Sequence, residues 1–307
     1  MSALKINAKL RIEKVTIGAT PADGGTRNGV ITIGGQTAMP FLYKDGELPF
    51  APVIAMEFQD EKPVEANPAL ESVLGEYWDN PVKWASFLTE KTGSPLLCLR
   101  LMGVHPDYGS KTVEETVGVF KKILSAVKSP LVVMGCGISE IDALLMPAVA
   151  EAGAGKKLLL GRALAEKYRE ITDACIRHGH SVITESPIDI NIAKQANILV
   201  QDAGLPADRI VMYATTGALG YGLEYAYSIM EKTRLSGLQG DNYMNKPQIA
   251  LAGQESWRAK EASASARAGI TWETVTAAAY LHSGADIVIL KHPESAHKTI
   301  DLIKKIL

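Results

Sequence analysis

The side chains that could do chemistry in this sequence lie just past short apolar runs. They are the carboxylates of Glu57, Asp60, Glu185 and Asp189, the imidazoles of His105 and His292, the guanidinium groups of Arg100 and Arg162, and the amine of Lys291. Metal-assisted hydrolysis needs a His-x-His pair at a strand's end, or His and carboxylates gathered from adjacent strands. His178-Gly179-His180 has that spacing but precedes the run Ser181–Glu185, so it enters a strand at the wrong end. Schiff-base chemistry needs a lysine kept neutral by burial. Lys291 is the candidate, and its ordinary alternative is an ion-paired lysine. The segment Thr215-Thr216-Gly217-Ala218-Leu219-Gly220-Tyr221-Gly222 combines hydroxyl donors with open glycine N–H groups. It reads as a phosphate cradle at a helix N-terminus or as a threonine N-cap, and one loop can do both. It lacks the lysine of a P-loop and falls too late in the chain to open a Rossmann unit.

Cys98, Cys136 and Cys175 are far apart. A zinc or iron–sulfur site wants about four soft ligands at close spacing. These read as buried apolar cysteines, so any cluster associated with this protein belongs to another chain.

Eight apolar runs must position these groups: Pro52–Phe58, Pro95–Leu101, Pro130–Met134, Lys157–Leu160, Ser181–Glu185, Arg209–Tyr213, Gln248–Ala252 and Asp286–Lys291. They are short, continuously apolar and rich in Val, Ile and Leu, as parallel strands buried on both faces are. Between them lie helical stripes, at Val113–Val127, Ser139–Ala152, Pro187–Ala203, Ala214–Leu235, Glu273–His282 and Glu294–Ile306. Eight strand–helix units predict a (β/α)8 TIM barrel of α/β class, whose working rim is at the strands' C-terminal ends. Such a barrel takes about 250 residues, and this chain has 307. The surplus lies ahead of it. Alternating residues around Pro21–Gly29 predict an N-terminal β-hairpin extension over 1–51, with the barrel over 52–307. The hairpin either plugs the N-terminal mouth or reaches toward a partner. A connection of about twelve residues, Ser236–Pro247, is long for a helix-to-strand loop and runs on the N-terminal side, suiting a structural or interface role.

The rim so predicted carries Met102, Gly135, Cys136, Gly137, Ser186, Thr215, Thr216, Gly217 and Gln254, as well as the charged groups above. Its glycines suit the close approach of a flat ligand or of another backbone. Lys and Arg number 32 against 34 Asp and Glu, which gives no basis for a nucleic-acid or membrane-surface partner. Met1–Leu10 lacks the layout of a signal peptide, and no apolar run is long enough to span a bilayer. A cytoplasmic protein is expected.

Met212 to Glu231, Gly240-Asp241-Asn242, Gly24-Gly25-Thr26-Arg27 with Gly34-Gly35, Ser186-Pro187-Ile188-Asp189-Ile190-Asn191 and Gly253-Gln254-Glu255-Ser256-Trp257 occur in order along the chain. In that order they resemble the small (delta) subunit of the corrinoid/iron–sulfur protein of the acetyl-CoA decarbonylase/synthase system, over nearly the whole length. The resemblance implies a heterodimer with a large subunit that carries the iron–sulfur cluster, and a cobalt corrinoid (cobalamin) held between the two chains. Its cobalt would take a methyl group from methyltetrahydrofolate, or a methyl-tetrahydropterin, through a methyltetrahydrofolate:corrinoid methyltransferase. The methyl would then pass to CO dehydrogenase/acetyl-CoA synthase in the reductive acetyl-CoA pathway. This chain would cap the cofactor, with no catalytic set or metal of its own. The nine rim residues named above are the expected cofactor neighbours. A pterin-binding methyltransferase on the same barrel is the alternative, with Glu57, Asp60, Glu185 and Asp189 as its acids.

Overall fold

The computed structural model describes residues 7–64 and 67–306. The start of the stretch read above for a signal peptide, residues 1–6, lies outside them. Strands β1 (Lys14–Ile17) and β2 (Ile31–Gly34) form an antiparallel hairpin. Eight parallel strands follow at the eight apolar runs: β3 (Val53–Gln59), β4 (Leu96–Arg100), β5 (Leu131–Met134), β6 (Leu159–Ala163), β7 (Ser181–Ser186), β8 (Ile210–Ala214), β9 (Ile249–Ala250) and β10 (Ile287–Leu290). Their order, β8-β7-β6-β5-β4-β3-β10-β9, is that of a barrel. Between β8 and β9 a single bridge, Met212 to Gln248, brings the sheet round.

Because side chains alternate along a strand, each run feeds two cores. Ala55, Cys98, Val132, Leu159, Ile183, Val211, Ile249 and Ile287 point into the barrel. Ile54, Leu97, Val133, Leu160, Val182, Ile210 and Val288 pack outward against the helices. Val15, Ile17 and Ile33 of the hairpin join the inner cluster, so the hairpin plugs the N-terminal mouth. Around it, Gly18 N–H donates to Lys157 O and Asn28 N–H to Lys128 O. Arg27 is buried and donates to Leu124 O and Val127 O.

The helices are α1 (Pro68–Leu74), α2 (Pro81–Thr92), α3 (Val113–Ala126), α4 (Ser139–Ala152), α5 (Tyr168–His178), α6 (Ile190–Asp202), α7 (Leu223–Leu238), α8 (Ala252–Ser256), α9 (Ala266–Ser283) and α10 (Pro293–Ile306). Their starts follow side-chain caps where the sequence supplies them: Asn67, Asn80, Asp189, Ser265, and Thr112 with Glu115 as a capping box. Four boundaries depart from periodicity. Helix α9, expected from Glu273, starts at Ala266 behind the Ser265 cap. Asp189 caps α6, which leaves Pro187 ahead of the helix. The apolar run Gln248–Ala252 yields two residues of strand before turning into α8. Residues from Thr215 onward do not start a helix, because α7 begins only after Gly222, at φ +84°. Neither Thr215 nor Thr216 caps it.

The connection after α7 lies against the hairpin. Asn245 donates to Arg11 O at 3.0 Å, and Glu13 N–H donates to Asn245 O at 2.7 Å. Its length is used to brace the plug. No helix among the described residues is long and apolar enough to cross a membrane.

Candidate functional site at the C-terminal mouth

The C-terminal ends of β3, β4, β5, β6 and β10, with α8, surround a cavity of about 360 Å³. Glu57 and Gln59 reach it from β3, Arg100 and Met102 from the end of β4, and Lys291 from just past β10. Gln254 and Trp257 come from the α8 segment, and Trp78 and Trp84 from the segment joining β3 to β4.

Its charged groups are arranged in pairs. Glu57 is 2% exposed and stands between Lys291 Nζ at 3.3 Å and Arg100 Nη1 at 4.0 Å. Burial opposes ionisation of Glu57, but these two cations outweigh it and hold the carboxyl below its ordinary range. Arg100 also donates to Gln254 Oε1 at 2.8 Å. Arg162 lies 2.6 Å from Glu185 Oε1 and covers the Tyr213 ring. Burial pushes Glu185 up, against the pull of Arg162. Lys291 is thus an ion-paired rim lysine.

The turn after β5 is held from below. Asp142, in the first turn of α4, accepts from Cys136 N–H at 2.8 Å and Gly137 N–H at 2.9 Å. A Cβ on Gly135 would lie 2.1 Å from Asp142 Oδ1, so only glycine fits that approach. Burial, followed by the nearby Asp142, raises the Cys136 thiol to about 12. It stays a thiol at neutral pH. Asp60 plays the same backbone-holding role after β4, accepting from Met102 N–H at 2.6 Å and Gly103 N–H at 3.0 Å. Its carboxyl is raised by burial.

Of the rim residues expected to neighbour a cofactor, Met102, Cys136, Gly137 and Gln254 line this cavity. Gly135 sits behind the same turn, on Asp142. Ser186, Thr215, Thr216 and Gly217 lie across the mouth, at the ends of β7 and β8. There the segment from Thr215 to Gly222 folds back on itself, bridging Ala218 to Tyr221. Several of its donors are engaged: Gly217 N–H meets Tyr280 Oη at 2.9 Å, Leu219 N–H meets Thr276 Oγ1, and Thr215 Oγ1 donates to Ser186 O. A Cβ on Gly217 would lie 2.6 Å from Gly222 C. The glycine serves the loop's own packing, its N–H is turned to Tyr280, and the loop does not lead straight into a helix as a phosphate cradle would.

The opposite mouth holds the His-x-His segment. His180 Nε2 donates to Ala150 O and its Nδ1 accepts from Leu158 N–H, a structural pair of bonds. No group of metal-ligating side chains occurs among the described residues. Cys98, Cys136 and Cys175 are buried and unpaired. The tryptophans were not legible as site residues, because Trp78 and Trp84 come from a connection without strong periodicity. Only Trp257, within the Gly253–Trp257 motif, carried a signal.

Three kinds of likeness bear on this architecture. Dihydropteroate synthase from Xanthomonas albilineans, solved with 4-aminobenzoic acid, superposes at a TM-score of 0.56 and 16% identity, covering 83% of this chain and 92% of that one. A dihydropteroate synthase from Yersinia pestis, with a pterine-sulfa conjugate, gives 0.58 at 14% identity, covering 83% of this chain and 93% of that one. At such identities the likeness is of fold. Subunit delta of the acetyl-CoA decarbonylase/synthase complex from Archaeoglobus fulgidus is 35% identical over 298 residues, which are 92% of this chain and 66% of the relative. Its counterpart from Methanopyrus kandleri is 33% identical, over 92% of this chain and 72% of the relative. This chain therefore spans about two thirds of the length of these relatives. The family described as CO dehydrogenase/acetyl-CoA synthase delta subunit matches residues 14–304. By that match, nearly end to end, the chain belongs to the CO dehydrogenase/acetyl-CoA synthase delta subunit family.

Proposed function

We propose that this chain is the small subunit of a corrinoid/iron–sulfur methyl carrier, and that its C-terminal mouth caps a cobalt corrinoid shared with a large subunit. Family membership over residues 14–304 carries the reading. The iron–sulfur cluster belongs to the partner chain.

The donor chemistry of the mouth suits such a group. A corrinoid supplies alkyl–cobalt chemistry, and the protein supplies binding, orientation and shielding. Cys136 is kept a thiol by burial, and Met102 is nearly buried, so neither presents a strong nucleophile. Arg100, Gln254 and Lys291 offer N–H donors to the amide-bearing edge of a corrin. The cavity is too small for the whole macrocycle, which would lie across the mouth toward Thr215 and Ser186. A methyltransferase acting by itself on a pterin, the alternative on this barrel, needs several uncommitted acids. Of its four acids, Asp60 and Asp189 are committed to backbone N–H groups and Glu185 to Arg162, which leaves Glu57 alone and favours the cap.

The test uses the complex assembled with the large subunit. Thr215 is exposed on the rim, so Thr215→Glu adds charge over the proposed cofactor face without crowding the core. Glu151→Lys, exposed near the C-terminus of α4 and hence at the opposite mouth, is the control. The reading expects Thr215→Glu to slow methylation of the reduced cobalt or to lower corrinoid retention, with the control at wild-type level. Equal rates and equal cobalt content in both folded variants would overturn it.

A further inference from the structure

The cavity lies to one side of the mouth, and it contains a buried charge whose contact with Lys291 Nζ, at 3.3 Å, is not a well-aligned hydrogen bond. Neither Glu57 oxygen is an acceptor of good geometry, although the carboxylate is almost wholly excluded from solvent. Lys291 and Arg100 keep it ionised by proximity, and Arg100 directs a donor at Gln254 instead. A buried polar group left in this state is uncommon in native proteins and asks for a partner. The indole N–H groups of Trp78 and Trp84 line the same cavity, are also buried, and also have no acceptor. Unmet acceptors and unmet donors therefore surround one space.

The space has the dimensions and walls of a ligand site. Its volume of about 360 Å³ falls within the range of roughly 300–1,000 Å³ typical of small-molecule pockets. His105 and Tyr108, with ring centroids 4.5 Å apart, and Trp257 furnish flat apolar walls. Arg162 and Arg258 are matched by Glu185 and Glu255. What remains is one carboxylate between two cations, a net positive charge that disfavours a cationic ligand.

We propose that this cavity binds a small, neutral, planar heterocycle with the 2-amino-4-oxopyrimidine edge found in pterins and guanine. The 2-amino group and the adjacent ring N–H would donate to the two Glu57 oxygens, and the 4-oxo group would accept from Lys291 or Arg100. The ring body would lie among the aromatic walls, and its remaining nitrogens would face the indole donors. The proposal concerns binding alone, assigns this chain no transfer step, and does not rest on the corrinoid reading.

Equilibrium dialysis of the purified chain against pterin, guanine and lumazine decides it, read by the heterocycle's own absorbance. Lumazine replaces the 2-amino group of pterin with a carbonyl and otherwise keeps its shape. The proposal expects saturable retention of pterin or guanine, with lumazine at least about tenfold weaker, as for loss of a charge-assisted hydrogen bond. Whichever of pterin and guanine is held more tightly identifies the ring class. Glu57→Gln should weaken the preferred ligand by a similar factor. Should that variant fail to fold, the comparison of pterin with lumazine on the wild-type chain is sufficient. No saturable retention of either amino heterocycle, or equal retention of pterin and lumazine, would overturn the proposal.

Discussion

His180 has exchanged its solvent for two backbone partners, and its proton affinity shows it. Burial lowers its pKa to about 4, below the ordinary 6.5, so the folded protein holds the ring neutral through mildly acidic pH. The unfolded chain binds a proton below its ordinary value while the folded chain does not. Stability is therefore present above about pH 6.5 and is lost as the pH falls toward about 4. Between about pH 7 and about pH 5 the loss should be about 2 kcal/mol. Urea unfolding at the two pH values measures it, and His180→Asn, which cannot titrate, should show a flatter dependence. Lys291 makes a second case. It is ion-paired to Glu57, so borohydride with a small carbonyl compound should label it no more than the exposed lysines, as read by mass in a peptide digest. At this scale the sequence was legible where chemistry needs a visible pattern. The scattered cysteines, the misplaced His-x-His and the ion-paired Lys291 all followed from type and position. The unpartnered state of Glu57 did not, because it depends on where Arg100 and Gln254 point after the barrel has closed.

Helix α3 ends on carbonyls that no N–H of its own can reach, and the hairpin supplies what is missing. Arg27 donates to Leu124 O and Val127 O from a buried position, and its charge also suits the negative end of the helix dipole. Arg27→Met keeps most of the volume and removes both bonds. It should cost about 2–3 kcal/mol, as charged hydrogen bonds of this kind do, and denaturant unfolding at neutral pH measures it. Ile33 packs into the barrel floor, so Ile33→Ala should cost about 2–5 kcal/mol through lost burial and a cavity. The Gly24-Gly25-Thr26-Arg27 motif therefore does structural work, joining hairpin to barrel. The strands were legible because continuous apolar runs leave few other folds. The hairpin's destination was not, since alternation gives the buried face but not what buries it. The start of α7 was misjudged for a related reason: helical spacing continued back through the Thr215–Gly222 loop, where tertiary contacts to Tyr280 and Thr276 prevail.

Taken whole, the molecule has a floor sealed by its own hairpin and an open mouth at the other end. A stable partnership through that mouth should bury more than about 1,000 Å² in total, and co-expression with the large subunit should give a single 1:1 species by size exclusion. Two separate peaks at micromolar concentration would count against the cap. Metal analysis of the chain alone should find neither stoichiometric cobalt nor an iron–sulfur complement. Fold class was readable along the entire chain, whereas the off-centre cavity was not, because its walls come from five strands and three connecting segments.

The barrel wall is also uneven around its circumference. Seven neighbouring strand pairs are joined by ladders, with a register shift at Gly161/Ala163 between β6 and β7, while β8 and β9 meet at the single bridge between Met212 and Gln248. A side chain finishes the join: Thr216 Oγ1 accepts from Leu251 N–H at 3.1 Å. The cylinder thus has a hem, pinned rather than woven, running from the braced floor up to the exposed rim at Thr215. Amide exchange should be fastest among the strands at Met212, Ala250 and Leu251, and Thr216→Val should quicken it there before it changes global stability. A wall that yields first along one line gives the mouth a direction in which to widen, and that line ends beside the loop expected to face the cofactor.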